Sequence, residues 1–141
     1  MLKNIPPILS PELLKILMEM GHGDDLVIAD GNFPSASIAK RLIRLDGHGV
    51  PEILDAVLRF FPLDTFVDNP VTLMAVTPGV DYIPAVRDSY KDIVVRNEGE
   101  KGIEYLGRFE FYERAKLAYA VVATGETARY ANVILKKGVV V

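Results

Sequence analysis

The sequence predicts one α/β domain spanning residues 1–141, with a central, mostly parallel or mixed sheet covered on both faces in a three-layer α/β/α arrangement. Three observations predict it. Short, continuously apolar runs such as Leu26-Val27-Ile28-Ala29 have the length and the lack of alternation of strands buried on both faces. They alternate with segments whose apolar residues recur at helical spacing. No Ser-, Pro- or Gly-rich linker divides the 141 residues, half of which are apolar, enough for one substantial core.

The elements follow in order. Ser10, Pro11 and Glu12 read as an N-cap, a proline at the first helical position and an acid at the positive helix end. The helix then runs to about Met20 through Leu13, Leu14, Leu17 and Met18, with Gly21 as the expected left-handed stop. A strand over 26–29 ends in Asp30-Gly31-Asn32. A second strand is expected over 41–45, closed by Asp46-Gly47, and a second helix through Ile53, Leu54, Val57, Leu58 and Phe61, ended by Pro62. Residues 71–76 read as a buried strand, 84–93 as a helix and 103–106 as a short strand. A helix over 109–117 leads into a strand over 119–123, a turn at Gly125 and a final strand through 132–135. Phe109 and Tyr112 share a helical face and read as core. Tyr130 and Asn132, two apart at the start of the last strand, read as a polar pair on one face.

Composition removes whole classes of chemistry. The absence of cysteine excludes disulfide scaffolds, thiol nucleophiles and cysteine-ligated metals. With 16 Lys and Arg against 19 Asp and Glu, and no basic block, a nucleic-acid binder is disfavoured. No apolar run approaches the roughly 20 residues of a membrane span, and no secretory signal is evident near residue 1, so a cytoplasmic protein without membrane partners is expected. Phosphate-loop and dinucleotide fingerprints are missing, and the two histidines lack any short metal-ligand spacing. The reading is therefore of a protein with no metal and no cofactor.

Those histidines lie in Gly21-His22-Gly23 and Gly47-His48-Gly49. His22 sits in the loop entering the first strand, and Asp30 sits where that strand leaves, the edge at which α/β proteins bind ligands. A four-residue strand rises about 13 Å, so the two share a site only if the loop folds back or a ligand spans them. His22 reads either as a general acid, since imidazole titrates near neutral pH, or as a solvated loop residue after a glycine. His48 reads as a turn residue. Arg108, at a strand-to-helix junction, can aim a planar set of donors at ligand oxygens. Tyr130 and Asn132 each supply donor and acceptor, which suits neutral, hydroxyl-rich ligands or, equally, a satisfied pair at a strand's start.

Taken together and in order, these clusters resemble the L-fucose mutarotase and D-ribose pyranase family of sugar mutarotases. The resemblance rests on Leu9-Ser10-Pro11-Glu12-Leu13-Leu14, Met20-Gly21-His22-Gly23-Asp24 and Ile28-Ala29-Asp30-Gly31-Asn32-Phe33-Pro34. It continues in Arg108-Phe109-Glu110-Phe111-Tyr112-Glu113-Arg114-Ala115, Thr124-Gly125-Glu126, Tyr130-Ala131-Asn132 and Lys136-Lys137-Gly138-Val139. It implies His22 as proton donor, and Asp30, Arg108, Tyr130, Ala131 and Asn132 as substrate-binding residues. It also implies a monosaccharide substrate and a homo-oligomer, often a decameric ring with sites close to subunit contacts. The fucose branch is the closer one, because the ribose branch typically carries histidine where Arg108 stands. A D-ribose pyranase-type isomerase and a non-catalytic monosaccharide-binding oligomer are the competing readings. The segment from about 81 to 104 matches nothing used in the resemblance.

Overall fold

The structure, a computed structural model, describes residues 1–141. Eleven elements follow one another: α1 (Pro11–Glu19), β1 (Asp25–Ala29), α2 (Ser35–Ile38), β2 (Leu42–Leu45), α3 (Val50–Leu58), β3 (Val71–Met74), α4 (Val86–Glu98), β4 (Ile103–Leu106), α5 (Arg108–Leu117), β5 (Ala120–Thr124) and β6 (Val133–Lys136). The six strands form one sheet in the order β2-β5-β1-β6-β3-β4. β5 runs parallel to both β1 and β2, and β3 parallel to β4, whereas β6 is antiparallel to β1 and β3. The sheet is thus mixed by virtue of one central strand. Because β6 is reversed, its amino end lies at the edge where the other five strands present their carboxyl ends.

Strand periodicity distributes the core between two faces. On one, Leu26 and Ile28 of β1, Val71 and Leu73 of β3, Val122 of β5 and Leu135 of β6 pack under α1, α3 and α4. On the other, Val27, Ala29, Met74, Val121 and Ile134 pack under α5 and Phe33, with Phe111 fully buried and Phe33 meeting it edge-on at 6.0 Å between ring centres. Helices on both sides complete the three-layer arrangement.

Several local expectations are corrected. The left-handed glycine after α1 is Gly23, at φ +86°, not Gly21; Gly21 instead donates its N–H to Asp24 Oδ2 at 2.8 Å. α2 is too short to show a period in the sequence. α3 stops at Leu58, where the N–H groups of Phe60 and Phe61 both turn back onto the Val57 carbonyl, ahead of Pro62. α4 begins later than expected and continues to Glu98, because its polar end is held by side chains: Arg96 and Asn97 both donate to Asp55 of α3 at 2.9 Å. Phe109 is 72% exposed; the core residues of α5 are Phe111 and Ala115. Tyr130 and Asn132 are not an alternating strand pair, since β6 starts at Val133 and Tyr130 has φ +55°. No helix is long and apolar enough to cross a membrane.

Candidate active site

A cleft of about 160 Å³ opens at the carboxyl edge, above the ends of β1 and β3 and the start of β6. Asp30, Arg108, Tyr130 and Asn132 line it together, joined by Phe33, Met74 and Tyr112. Asp30 follows β1 directly and is only 4% exposed. Its Oδ1 accepts the Asn32 N–H at 3.0 Å and its Oδ2 the Ala131 N–H at 3.2 Å. Burial pushes its pKa above the usual carboxylate range, with the backbone N–H groups pulling the other way. Both oxygens keep lone pairs for a further donor.

Asn132 is buried, and its Oδ1 accepts the Asp30 N–H at 2.7 Å, tying the exit of β1 to the approach of β6. Its amide nitrogen meets only the Met74 sulfur at 3.9 Å, leaving a donor on the cleft wall. Ala131 acts through its backbone: its N–H serves Asp30, and its carbonyl accepts from the Tyr90 hydroxyl at 2.8 Å. The Tyr130 hydroxyl bonds Thr77 Oγ1 at 3.2 Å. Arg108, the first residue of α5, donates from Nε to the Tyr112 hydroxyl at 3.1 Å and is otherwise exposed. The sequence placed Tyr112 in the core; it is half-buried against the edge of Phe33 and faces the cleft.

His22 is elsewhere. It precedes β1, so it lies at the opposite sheet edge, where Gly23 donates to the carbonyl of Lys137 beyond β6. The five residues of β1 separate it from Asp30 by about 16 Å of rise. The loop does not fold back to the cleft. His22 Nε2 stands 3.1 Å from Asp64 Oδ1, and its ring leans on Phe66 at 5.2 Å. Asp64 is almost wholly buried, and the Phe66 N–H, followed by His22, holds its pKa below the usual range. His48 stands after β2, at the cleft's edge of the sheet but outside its lining, with Nδ1 3.1 Å from Glu52. The two histidines therefore occupy opposite edges. No group of three or more His, Cys, Asp or Glu side chains is placed to hold a metal ion.

Known proteins share this fold and much of its sequence. Residues 3–140 match the model of the RbsD / FucU transport protein family. The chain belongs to that family. As a family member it is similar to the Streptococcus pneumoniae fucose mutarotase, whose crystal structure is a complex with L-fucose: 55% identity, TM-score 0.96, with 99% of this chain and 100% of that one covered. The Bos taurus fucose mutarotase is 52% identical over 144 residues, covering 98% of this chain and 94% of that protein. The Bacillus subtilis RbsD complexed with D-ribose is more distant, at 28% identity and a TM-score of 0.74, with both chains fully covered.

Sequence reading missed Asp64, Arg87 and Tyr90. The two α4 residues fall in the segment that carried no motif, and Asp64 follows a helix end with no period to mark it. Only pairing across the fold identifies them.

Proposed function

We propose that this RbsD/FucU family member is an isomerase that interconverts the α and β anomers of L-fucose, or of a closely similar monosaccharide, through the open-chain aldehyde. The observation that carries the reading is the convergence of Asp30, Arg108, Tyr130 and Asn132 on one cleft, in a chain 55% identical to a fucose mutarotase that binds L-fucose. The lower identity to the D-ribose complex, 28%, favours fucose over ribose.

Mutarotation requires only coordinated proton transfers. An acid protonates the ring oxygen while a base takes the anomeric hydroxyl proton, and the roles reverse on closure. Asp30 has an elevated proton affinity and free lone pairs, fitting it either to take that proton directly or to orient a hydroxyl for Tyr130 or a water. Arg108 and the Asn132 amide donate to sugar oxygens, and the Tyr130 ring covers an apolar sugar face.

The acid role falls to His22, steadied by Asp64. Since β1 separates His22 from its own cleft, we infer that it serves the cleft of a neighbouring copy in a homo-oligomer, for which a decameric ring in the cytoplasm is the form the resemblance suggests.

Saturation-transfer NMR on L-fucose, D-ribose and D-galactose at anomeric equilibrium tests the reading. Faster anomer exchange for L-fucose than for the others is expected; exchange at the buffer rate for all three refutes it. His22→Ala is expected to fold and to lose most of the exchange rate. Dissociating and remixing His22→Ala with Asp30→Asn protein tests the shared site: random pairing restores both groups in about a quarter of the clefts. No recovery in assembled mixtures refutes the shared cleft, and a folded His22→Ala protein that keeps the full rate places His22 outside the mechanism.

A further inference from the structure

Arg87, on the first turn of α4, points its guanidinium at the backbone of the cleft. Nε and Nη2 donate to the Tyr130 carbonyl at 3.0 and 2.6 Å, and Nη2 also meets the Met74 carbonyl at the end of β3. The Tyr130 carbonyl belongs to the same peptide unit as the Ala131 N–H, and that N–H donates to Asp30 Oδ2. The chain of contacts is therefore guanidinium, carbonyl, amide N–H, carboxylate. Donation to a carbonyl by a cation polarises the peptide and strengthens its N–H as a donor, the more so in a half-buried, low-dielectric setting. Arg87 sits in such a setting: burial lowers its pKa, yet an arginine there remains charged.

The backbone at this point is held in place. Tyr130 occupies the left-handed region at φ +55°, which a non-glycine residue seldom adopts unless its surroundings hold it there. Arg87 grips its carbonyl, while the Tyr90 hydroxyl grips the next carbonyl at 2.8 Å.

We propose that Arg87 is a positioning residue that acts on the Asp30 carboxylate through the single Tyr130–Ala131 peptide unit, fixing its acceptor geometry and favouring its ionised form for sugar binding and proton transfer. This rests on the mutarotase reading for its consequence in catalysis, but not for its effect on Asp30. The other charged or titratable groups about Asp30 are Glu126 from the segment before β6, Tyr90 from α4, Arg108 and Tyr112 from α5, Arg129 and Tyr130 ahead of β6, and Arg44 from β2. Of the cations, Arg87 is the one hydrogen-bonded to the peptide that serves the carboxylate.

The test is the pH dependence of anomer exchange in wild-type protein, Arg87→Met and Arg87→Lys, beside the infrared carboxylate band of Asp30 isolated by subtracting the Asp30→Asn spectrum. Loss of the guanidinium weakens the hold on the ionised form, so the Asp30 midpoint rises. The acid limb of the rate profile is expected to move up by about half a pH unit in Arg87→Met. Arg87→Lys, whose ammonium still donates to the carbonyl, is expected to restore most of that shift. If Arg87→Met does not fold, Arg87→Gln replaces it, with a smaller upward shift expected. Coincident midpoints in wild type and the uncharged variant overturn the proposal, as does a lysine variant no better than methionine. A wild-type protein without exchange activity defeats the mutarotase reading alone, and the infrared midpoint then decides the role of Arg87.

Discussion

Replacing Asp30 by asparagine removes one oxygen and one charge from the cleft while preserving shape. The carboxylate satisfies the N–H groups of Asn32 and Ala131, one on each oxygen. Asparagine offers a single acceptor, so one N–H loses a bond to a charged group, about 1.5–3 kcal/mol. Against this, the ionised carboxylate is buried and its pKa is raised by desolvation, so neutralising it recovers part of the loss. The net destabilisation is about 1 kcal/mol, a few degrees in Tm for a chain of this size. Its pH dependence has a definite sign. A group whose folded pKa is raised contributes stability below its unfolded pKa and loses it as pH rises through the folded value. The deficit of Asp30→Asn relative to wild type is therefore larger below about pH 4 than at neutrality. The rate effect is of another size: about 10²- to 10⁴-fold if Asp30 takes the proton, and about 10- to 150-fold if it only orients a hydroxyl through a charge-assisted bond. Thermal denaturation and saturation-transfer NMR on the same preparation separate the two quantities. An Asp30→Asn protein that keeps at least half the wild-type rate, or that is unfolded at 25 °C, refutes the reasoning.

Other expectations follow from the packing. Phe111→Ala empties a fully buried site between α5 and the sheet and is expected to cost about 3–5 kcal/mol in urea denaturation. Asp55 is held down to about 2 by the hydrogen bond from Asn97, then by Arg96. Its contribution is therefore present above the unfolded carboxylate pKa and lost as pH falls through about 2. The urea midpoint of Asp55→Asn is expected to lie below wild type at pH 6 and to converge with it in strong acid. A Cβ on Gly125 would stand 2.0 Å from the Asp46 carbonyl oxygen, so Gly125→Ala is expected to force the turn after β5 apart from that after β2, reducing Tm and L-fucose affinity together.

Much of the fold was legible because buried strands and helix faces leave local signatures. The apolar run at 26–29 and the Ser10-Pro11-Glu12 start of α1 need no distant partner to be read. Asp30 was legible for the same reason, standing directly where an apolar run ends. Tyr130 was misjudged because a two-residue spacing resembles a strand, whereas its left-handed backbone is maintained by Arg87, 43 positions away. Asp64 and Arg87 were illegible because their significance lies wholly in contacts across the sheet. The position of His22 at the loop before β1 was readable; its distance from the cleft within one chain emerged only with the fold.

The reversed strand β6 has a consequence for folding. It lies near the end of the chain, yet it sits between β1 and β3 and is the only strand joining β2-β5-β1 to β3-β4. Until β6 docks, the β1 edge of β2-β5-β1 and the β3 edge of β3-β4 have no partner strand. The Asp30–Asn132 contact, 102 residues apart in sequence, forms in the same event. Sheet closure and cleft assembly thus coincide in one folding step, and the state just before it is the one whose open strand edges most invite aggregation.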